Sequence, residues 1–374
     1  MMRAGQAIFV VLGVFLALTV NSAKAVDTKD IDEVRDKGVL DDADLKIIDN
    51  FVAGSVRELL NTRNFSTIGS VRLAILARAN SAAESAAAQY SAQFSDSAYK
   101  YISEGIKTAE ALNSEDIRVK VIINLLILAD GLENLRLADF VAGMVDDKKL
   151  IVRYWAVHCV ANPSIVKKLN SGGDANIKLA EKIAEQLKKS VETSSPEMIT
   201  LMLGFAGQIN IPQGEELLFQ IADMRMEKYR KWDLSGVLVD ADVLKSLSEK
   251  MLSSGANKTA AAQRFAQLYS YAIQRYIKGR DILRDDDKRQ LMSVLVDVEQ
   301  SCIGKLLDVP QSIIQKAAEQ DDAAALLQEH NRLLGDGAEA GKLAQKIGFD
   351  YGKSADGNNR VAPLGLPEPP EQTK

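Results

Sequence analysis

Apolar residues recur through most of this chain at spacings of three and four. Ile177, Ala180, Ala184, Leu187 and Val191 make one such stripe, and Lys178, Glu181, Lys182, Glu185, Lys188 and Lys189 fill the other faces. A period near 3.6 with charge on the far side predicts an amphipathic helix, and Glu185 and Lys189 are spaced to support it as an ion pair. Residues 119–129 are apolar nearly all round. Their two polar members, Lys120 and Asn124, are four apart and share one narrow face, so neighbours must cover such a helix on several sides. After Asp147, one stripe runs Leu150, Tyr154, Val157, Ala161 and a second runs Ile151, Trp155, His158. Burial on two sides in successive helices is what a stacked helical array produces. Residues 82–112 keep the same period through Tyr90, Phe94, Ala98, Tyr101, Gly105, Ala109 and Leu112, with an alanine-rich start that allows close helix approach.

The breakers agree with this pattern. Four of the eight prolines precede residue 350, and each stands at a junction. Ser195-Pro196 reads as a capping residue followed by proline at the first helical position, where its missing N–H costs little. Asn162-Pro163, Ile211-Pro212 and Val309-Pro310 mark further starts or connections. Strand-like alternation is nearly absent, and the brief Val237-Leu238-Val239 run is too short to found a sheet. The expected fold is all-α, with roughly a dozen helices in stacked hairpins joined by short connections.

The run Asp146-Asp147-Lys148-Lys149-Leu150-Ile151-Val152-Arg153-Tyr154-Trp155-Ala156-Val157 resembles the second helix of a HEAT repeat, with its acidic turn, Val-Arg pair and small-apolar continuation. Residues 70–77 and 114–121 echo it less fully. Arg72, Arg118 and Arg153 fall 46 and 35 residues apart, an irregular period for a strict array. The resemblance covers residues 65–210. It implies a HEAT-like α-solenoid acting as a binding scaffold, and it carries over no catalytic residue. Residues 82–112 also fit a tetratricopeptide-like pair, although that family's Trp and Leu-Gly positions are missing.

The two ends differ from the middle. Arg3, the apolar run of 14 residues at 7–20 and Ala23-Lys24-Ala25 have the three parts of a secretory signal. The run is shorter than the roughly 18 residues of a spanning helix. Residues 1–25 are therefore expected to be a signal peptide, 26–347 a helical repeat region, and 348–374 a flexible tail rich in proline and glycine. The tail expectation rests on Pro363, Pro367, Pro369 and Pro370 and on the lack of apolar periodicity. An exported protein, periplasmic or extracellular, follows.

Removing residues 1–25 takes away Arg3 and Lys24 and no acid, so the formal charge moves from −5 to −7. That mild, well-mixed acidity argues against nucleic acid as the main partner. Two cysteines, Cys159 and Cys302, and two histidines, His158 and His330, are too scattered for a zinc site. Burial as separate thiols is the expectation for the cysteines.

Common catalytic patterns fail on particular residues. The stretch from Gly335 to Leu343 lacks the glycine and the Ser or Thr of a P-loop at Asp336 and Leu343, and reads as a turn between helices. Asp285-Asp286-Asp287 lacks the glycine and final glutamate of a calcium loop and suits a helix start instead. No cofactor, metal or catalytic set is expected, and enzymatic activity is the least favoured reading.

One surface invites a partner. Phe265, Leu268, Tyr269, Ala272 and Tyr276 form a stripe that should face the core, while Arg264, Tyr271, Arg275 and Lys278 follow spacings of seven, four and three on another side. Arg225, Lys228, Tyr229, Arg230, Lys231 and Trp232 repeat the basic-aromatic theme. Arginine and aromatic residues are favoured at interface hot spots. These four residues are thus the expected partner-binding set, for a protein or peptide that is at least locally acidic. The leading functional expectation is an exported scaffold binding a protein, peptide or envelope polymer; a self-associating envelope component is the alternative.

Overall fold

The computed structural model describes residues 27–370, apart from positions 63, 254, 256, 355 and 356. The expected signal peptide lies outside the described residues. The chain is all-α, and its described residues divide into two compact units, the first ending at Tyr101 and the second beginning at Ile102.

The first unit contains α1 (Lys29–Arg35), α2 (Asp42–Asn61), α3 (Phe65–Leu76) and the first part of α4 (Ala87–Glu110). Asp41 starts α2 with a capping box, accepting from the Ala43 and Asp44 N–H groups while the Asp44 carboxylate accepts from the Asp41 N–H. Asp49 on α2 accepts hydroxyl bonds from Ser97 and Tyr101 on α4, both 2.7 Å. Of the alanine-rich start expected to be helical, Ala87 and Ala88 open α4, while Ala82 and Ala83 lie in a connection. Ala82 and Ala83 donate to the Arg35 carbonyl, and a single 3-10 turn precedes α4.

The second unit continues with α5 (Glu115–Leu132), α6 (Leu135–Val141), α7 (Leu150–Val160), α8 (Pro163–Ser171) and α9 (Asp174–Ser190). After these come α10 (Pro196–Gln208), α11 (Pro212–Arg230), α12 (Val239–Leu252), α13 (Lys258–Gly279) and α14 (Asp285–Val298). The last are α15 (Gly304–Leu307), α16 (Ile313–Glu319), α17 (Ala323–Leu334) and α18 (Lys342–Ile347). Pro163, Pro196 and Pro212 each begin a helix, two of them behind the capping side chains of Asn162 and Ser195. The three aspartates 285–287 form the first turn of α14, where the helix dipole favours them.

Helices of this unit pack on their sequence neighbours and on helices further along. One row of contacts runs α5, α7, α10, α12, α14, α16, and another runs α9, α11, α13, α17, α18. This pattern is compatible with a stacked array, because each helix needs cover on several sides. It also explains why helices such as α5, with buried Val121, Leu125, Leu126 and Leu128, are apolar nearly all round. Cys159 and Cys302 are both buried and free, and Cys159 Sγ donates to the Leu126 carbonyl at 3.1 Å. Among the described residues, β pairing is limited to the isolated bridges Gly335–Ala340 and Lys353–Asn359. No helix among them is long and apolar enough to cross a membrane.

Between α14 and α15 the helix widens into a π turn over Glu299–Ile303. This carries the fully buried Glu299 carboxylate to the start of α16, where it accepts from the Ile314 and Gln315 N–H groups, each at 2.8 Å. A buried carboxylate needs such donors, and a helix start supplies them.

Helix α13 is the most enclosed element of this unit, touching α11, α12, α14, α17 and α18. Its Phe265–Tyr276 stripe is buried as the periodicity predicts. The face that remains is met by the chain's own C-terminal segment. Where composition alone suggests a flexible tail at 348–374, Phe349, Tyr351 and Leu366 are buried. Isolated apolar anchors of this kind leave no periodic trace.

Candidate functional site

The site is built around α13 and the loop from α11 to α12. Arg225 and Tyr229, one turn apart on α11, both reach Asp240 at the start of α12. Arg225 Nε lies 2.5 Å from Asp240 Oδ1 and Nη2 lies 3.2 Å from Oδ2. The Tyr229 hydroxyl donates to Oδ2 at 2.8 Å, and Arg225 Nη1 donates to the Ser235 carbonyl at 2.7 Å. All three side chains are buried. Burial pulls the Arg225 guanidinium down, but the Asp240 carboxylate outweighs that and holds it above its ordinary value. The pair therefore fixes the loop as a charged, hydrogen-bonded clamp.

Within that loop Trp232 takes a left-handed backbone conformation, with φ of 60°. Its carbonyl and ring are both presented to α13. The Arg275 guanidinium sits 3.7 Å from the Trp232 ring centre, and its Nη2 donates to the Trp232 carbonyl at 2.6 Å. Arg275 is only 5 % exposed. Its Nε and Nη1 have no hydrogen-bond partner among the described residues, and desolvation pushes its pKa down to about 10. Arg275 is thus a desolvated cation stacked on an aromatic face, with two of its donor nitrogens buried and unpaired.

The C-terminal segment approaches from the α17 end. The Tyr351 hydroxyl donates to the Leu334 carbonyl at 2.7 Å, and residues 351–360 turn back through Tyr351 N to Arg360 O and Arg360 N to Gly352 O. Gly335, at φ of 103°, admits the chain here: a Cβ on it would lie 2.5 Å from the Val361 carbonyl oxygen. The Gly335–Gly341 stretch is thus a turn between α17 and α18 that seats the tail, with Asp336 accepting from the Ala338 and Glu339 N–H groups.

Beyond it, the main chain is held by side chains of α13. Gln267 accepts from Leu364 N–H at 2.8 Å and donates to the Leu364 carbonyl at 3.1 Å. Gln274 accepts from Leu366 N–H at 2.6 Å and donates to the Leu364 carbonyl at 3.3 Å. Lys278 donates to the Leu366 carbonyl at 2.8 Å and pairs with Glu368 at 2.6 Å. Trp232 Nε1 completes the set on the Pro367 carbonyl at 3.2 Å. From Gln267 to Lys278 the helix rises about 16 Å. From Leu364 to Glu368 an extended chain advances about 13 Å, at about 3.3 Å per residue, so the held segment runs along most of that length.

A second layer orients Gln274. Its Nε2 donates to Ser270 Oγ at 2.7 Å, Ser270 lies 2.8 Å from His330 Nε2, and His330 Nδ1 lies 2.9 Å from Asn331 Oδ1. A consistent chain of donors follows: Gln274 to Ser270, Ser270 to His330, and His330 Nδ1–H to Asn331. Burial lowers the His330 pKa, which keeps the imidazole neutral as this chain requires. Ser270 and His330 have the spacing of a nucleophile and its base. Ser270 is wholly buried in mid-helix, however, and its hydroxyl serves to aim the glutamine amide.

The four residues singled out from sequence are thereby placed separately. Arg264 forks onto Asp223 at 2.9 and 3.0 Å and lies over the Phe219 ring, on the side of α11. Tyr271 is buried and accepts from Arg230 Nε at 3.1 Å. Arg275 is buried against Trp232, and Lys278 alone of the four touches the tail. They do not form one exposed stripe, because neighbours enclose α13 on both flanks. Gln267 and Gln274, the main-chain clamps, were missed from sequence; seven residues apart on one face, they carry no charge or motif to mark them. Among the described residues no cluster of His, Cys, Asp and Glu is arranged to hold a metal ion.

No protein-family model matches the chain, and no curated protein matches it.

Proposed function

We propose that this chain is an exported, HEAT-like helical scaffold that binds a protein or peptide partner by gripping an extended segment along α13. The observation that carries the reading is the pair of glutamines, Gln267 and Gln274, which satisfy the N–H groups of Leu364 and Leu366 and the carbonyl of Leu364. Side chains that read main-chain groups hold any extended segment of suitable side-chain pattern, as strand addition does on a sheet edge. A proline-containing ligand suits such a groove because it loses little entropy on being held extended.

The test uses the full chain with Leu366→Asp, which removes the buried anchor of its own tail. This variant should bind a fluorescent peptide of sequence 361–370, read by anisotropy, and adding Gln267→Ala and Gln274→Ala should abolish binding. A Leu366→Asp chain that folds but leaves the peptide free would overturn the reading. Export is tested separately: amino-terminal sequencing of the secreted form should begin at Val26, and an intact Arg3 would refute it.

A further inference from the structure

We propose that the partner segment carries an acidic residue directly after a Leu-Pro pair, and that residues 361–370 are its intramolecular competitor. This rests on the reading of α13 as a peptide-binding helix and adds what that helix selects.

Main-chain clamps do not choose a sequence, so selection falls to the side chains at the far end of the groove. There Leu366 is buried, Pro367 presents its carbonyl to Trp232, and Glu368 meets Lys278. Pro367 has no N–H to leave unsatisfied at this point and holds the chain extended. Lys278 and Arg275 lie three apart on α13 and so are neighbours on its surface. The tail brings one carboxylate, Glu368, to Lys278. Its Glu368 side chain is 82 % exposed, so the pair with Lys278 is a rim contact that salt screens. Arg275 keeps Nε and Nη1 unpartnered although it is nine-tenths buried.

This imbalance describes a weak occupant held by connectivity. A tethered segment faces its site at an effective concentration of about millimolar, which makes up for modest contacts. A free partner displaces it only with better ones. Another acidic group near Arg275 and Lys278 is the improvement this end of the groove offers, since Asp233 and Asp287 act on the Arg275 guanidinium without a hydrogen bond to it and a charge-assisted hydrogen bond is the stronger contact. The tail therefore sets a threshold that non-acidic segments fail to cross.

Three fluorescent decapeptides test this: the natural 361–370 sequence, the same with Glu368→Gln, and the same with Pro369→Glu. Each is titrated by anisotropy, at low and high salt, into the parent chain, the Leu366→Asp chain and a Leu366→Asp, Lys278→Met chain. On Leu366→Asp, Glu368→Gln should weaken binding about five- to tenfold at low salt and Pro369→Glu should strengthen it by a similar factor. Lys278→Met should flatten the difference between the natural and Glu368→Gln peptides. The parent should bind all three at least about tenfold more weakly, because its tail competes. Equal binding of the three peptides would overturn acidic selection while leaving the main-chain grip intact. No binding of any peptide by a folded Leu366→Asp chain would instead remove the peptide-binding reading itself. If sedimentation shows the parent dimerising with concentration while Leu366→Asp stays monomeric, the occupant is a second copy's tail and the proposal falls.

Discussion

Gln267 takes both main-chain polar groups of Leu364, accepting its N–H at 2.8 Å and donating to its carbonyl at 3.1 Å. The two residues are 97 positions apart, yet the amide pairs with the backbone as a neighbouring strand would. The contact depends on Gln267 being almost buried, at 8 % exposure, which keeps water from competing for the same groups.

Replacing Gln267 or Gln274 with alanine should loosen the tail without unfolding the helices. Each lost set of hydrogen bonds should cost about 1 kcal/mol. Hydrogen exchange should show faster labelling over residues 361–370 in either variant, with protection on α13 and α17 retained. Unchanged exchange across that segment would show that the glutamines do not hold it.

Truncation should depend on where the chain is cut. Tyr351 is buried and bonded to the Leu334 carbonyl, so removing everything from Tyr351 onward should destabilise the second unit. Tyr351→Ala alone should cost about 3 kcal/mol, the scale for emptying a large aromatic site. A cut after Pro367 should leave the denaturation midpoint nearly unmoved, because Glu368 and Pro370 are exposed. Urea titrations of the three variants separate these outcomes.

Acid should weaken the relay under Gln274. Burial lowers the His330 pKa in the folded chain, while the unfolded chain has an ordinary imidazole near about 6.5. Between these two values the unfolded state binds a proton that the folded state refuses, so stability falls as pH drops through that window. The contribution is complete above the unfolded value and gone below the folded one. Comparing urea midpoints at about pH 7.5 and 5.5, His330→Gln should lose part of the parent's dependence. An identical dependence in both proteins would remove His330 as its source.

The buried clamp between α11 and α12 should respond asymmetrically to substitution. Arg225→Met leaves the Asp240 carboxylate enclosed with the Tyr229 hydroxyl as its remaining side-chain donor, and should cost about 3–5 kcal/mol. Replacing both partners with apolar residues should cost less, because no uncompensated charge stays behind. The Trp232–Arg275 stack should be lost in the single variant, read as a change in tryptophan fluorescence. Equal destabilisation by the single and double variants would mean that the charge pair is not what holds the loop.

The helices were legible from sequence because a period near 3.6 is a local property. Each apolar stripe states which face must be covered, and prolines with their capping neighbours mark where helices start, as at Ser195-Pro196. The turn at Gly335 and the acidic start of α14 followed from equally local chemistry. What covers a given face is not local. The charges of Arg264, Arg275 and Lys278 drew attention to α13, but whether each meets solvent, an aspartate or a tryptophan depends on helices distant in sequence. Tyr271 and Arg275 are buried because α11 and its following loop pack across them. The tail shows the same limit from the other side. Its composition lacks a core-forming period, so its order comes from three separated anchors and from main-chain groups that every sequence possesses. Those bonds exist only once α13, α17 and the Trp232 loop stand together, and tertiary packing alone decided that the two glutamines would meet Leu364 and Leu366.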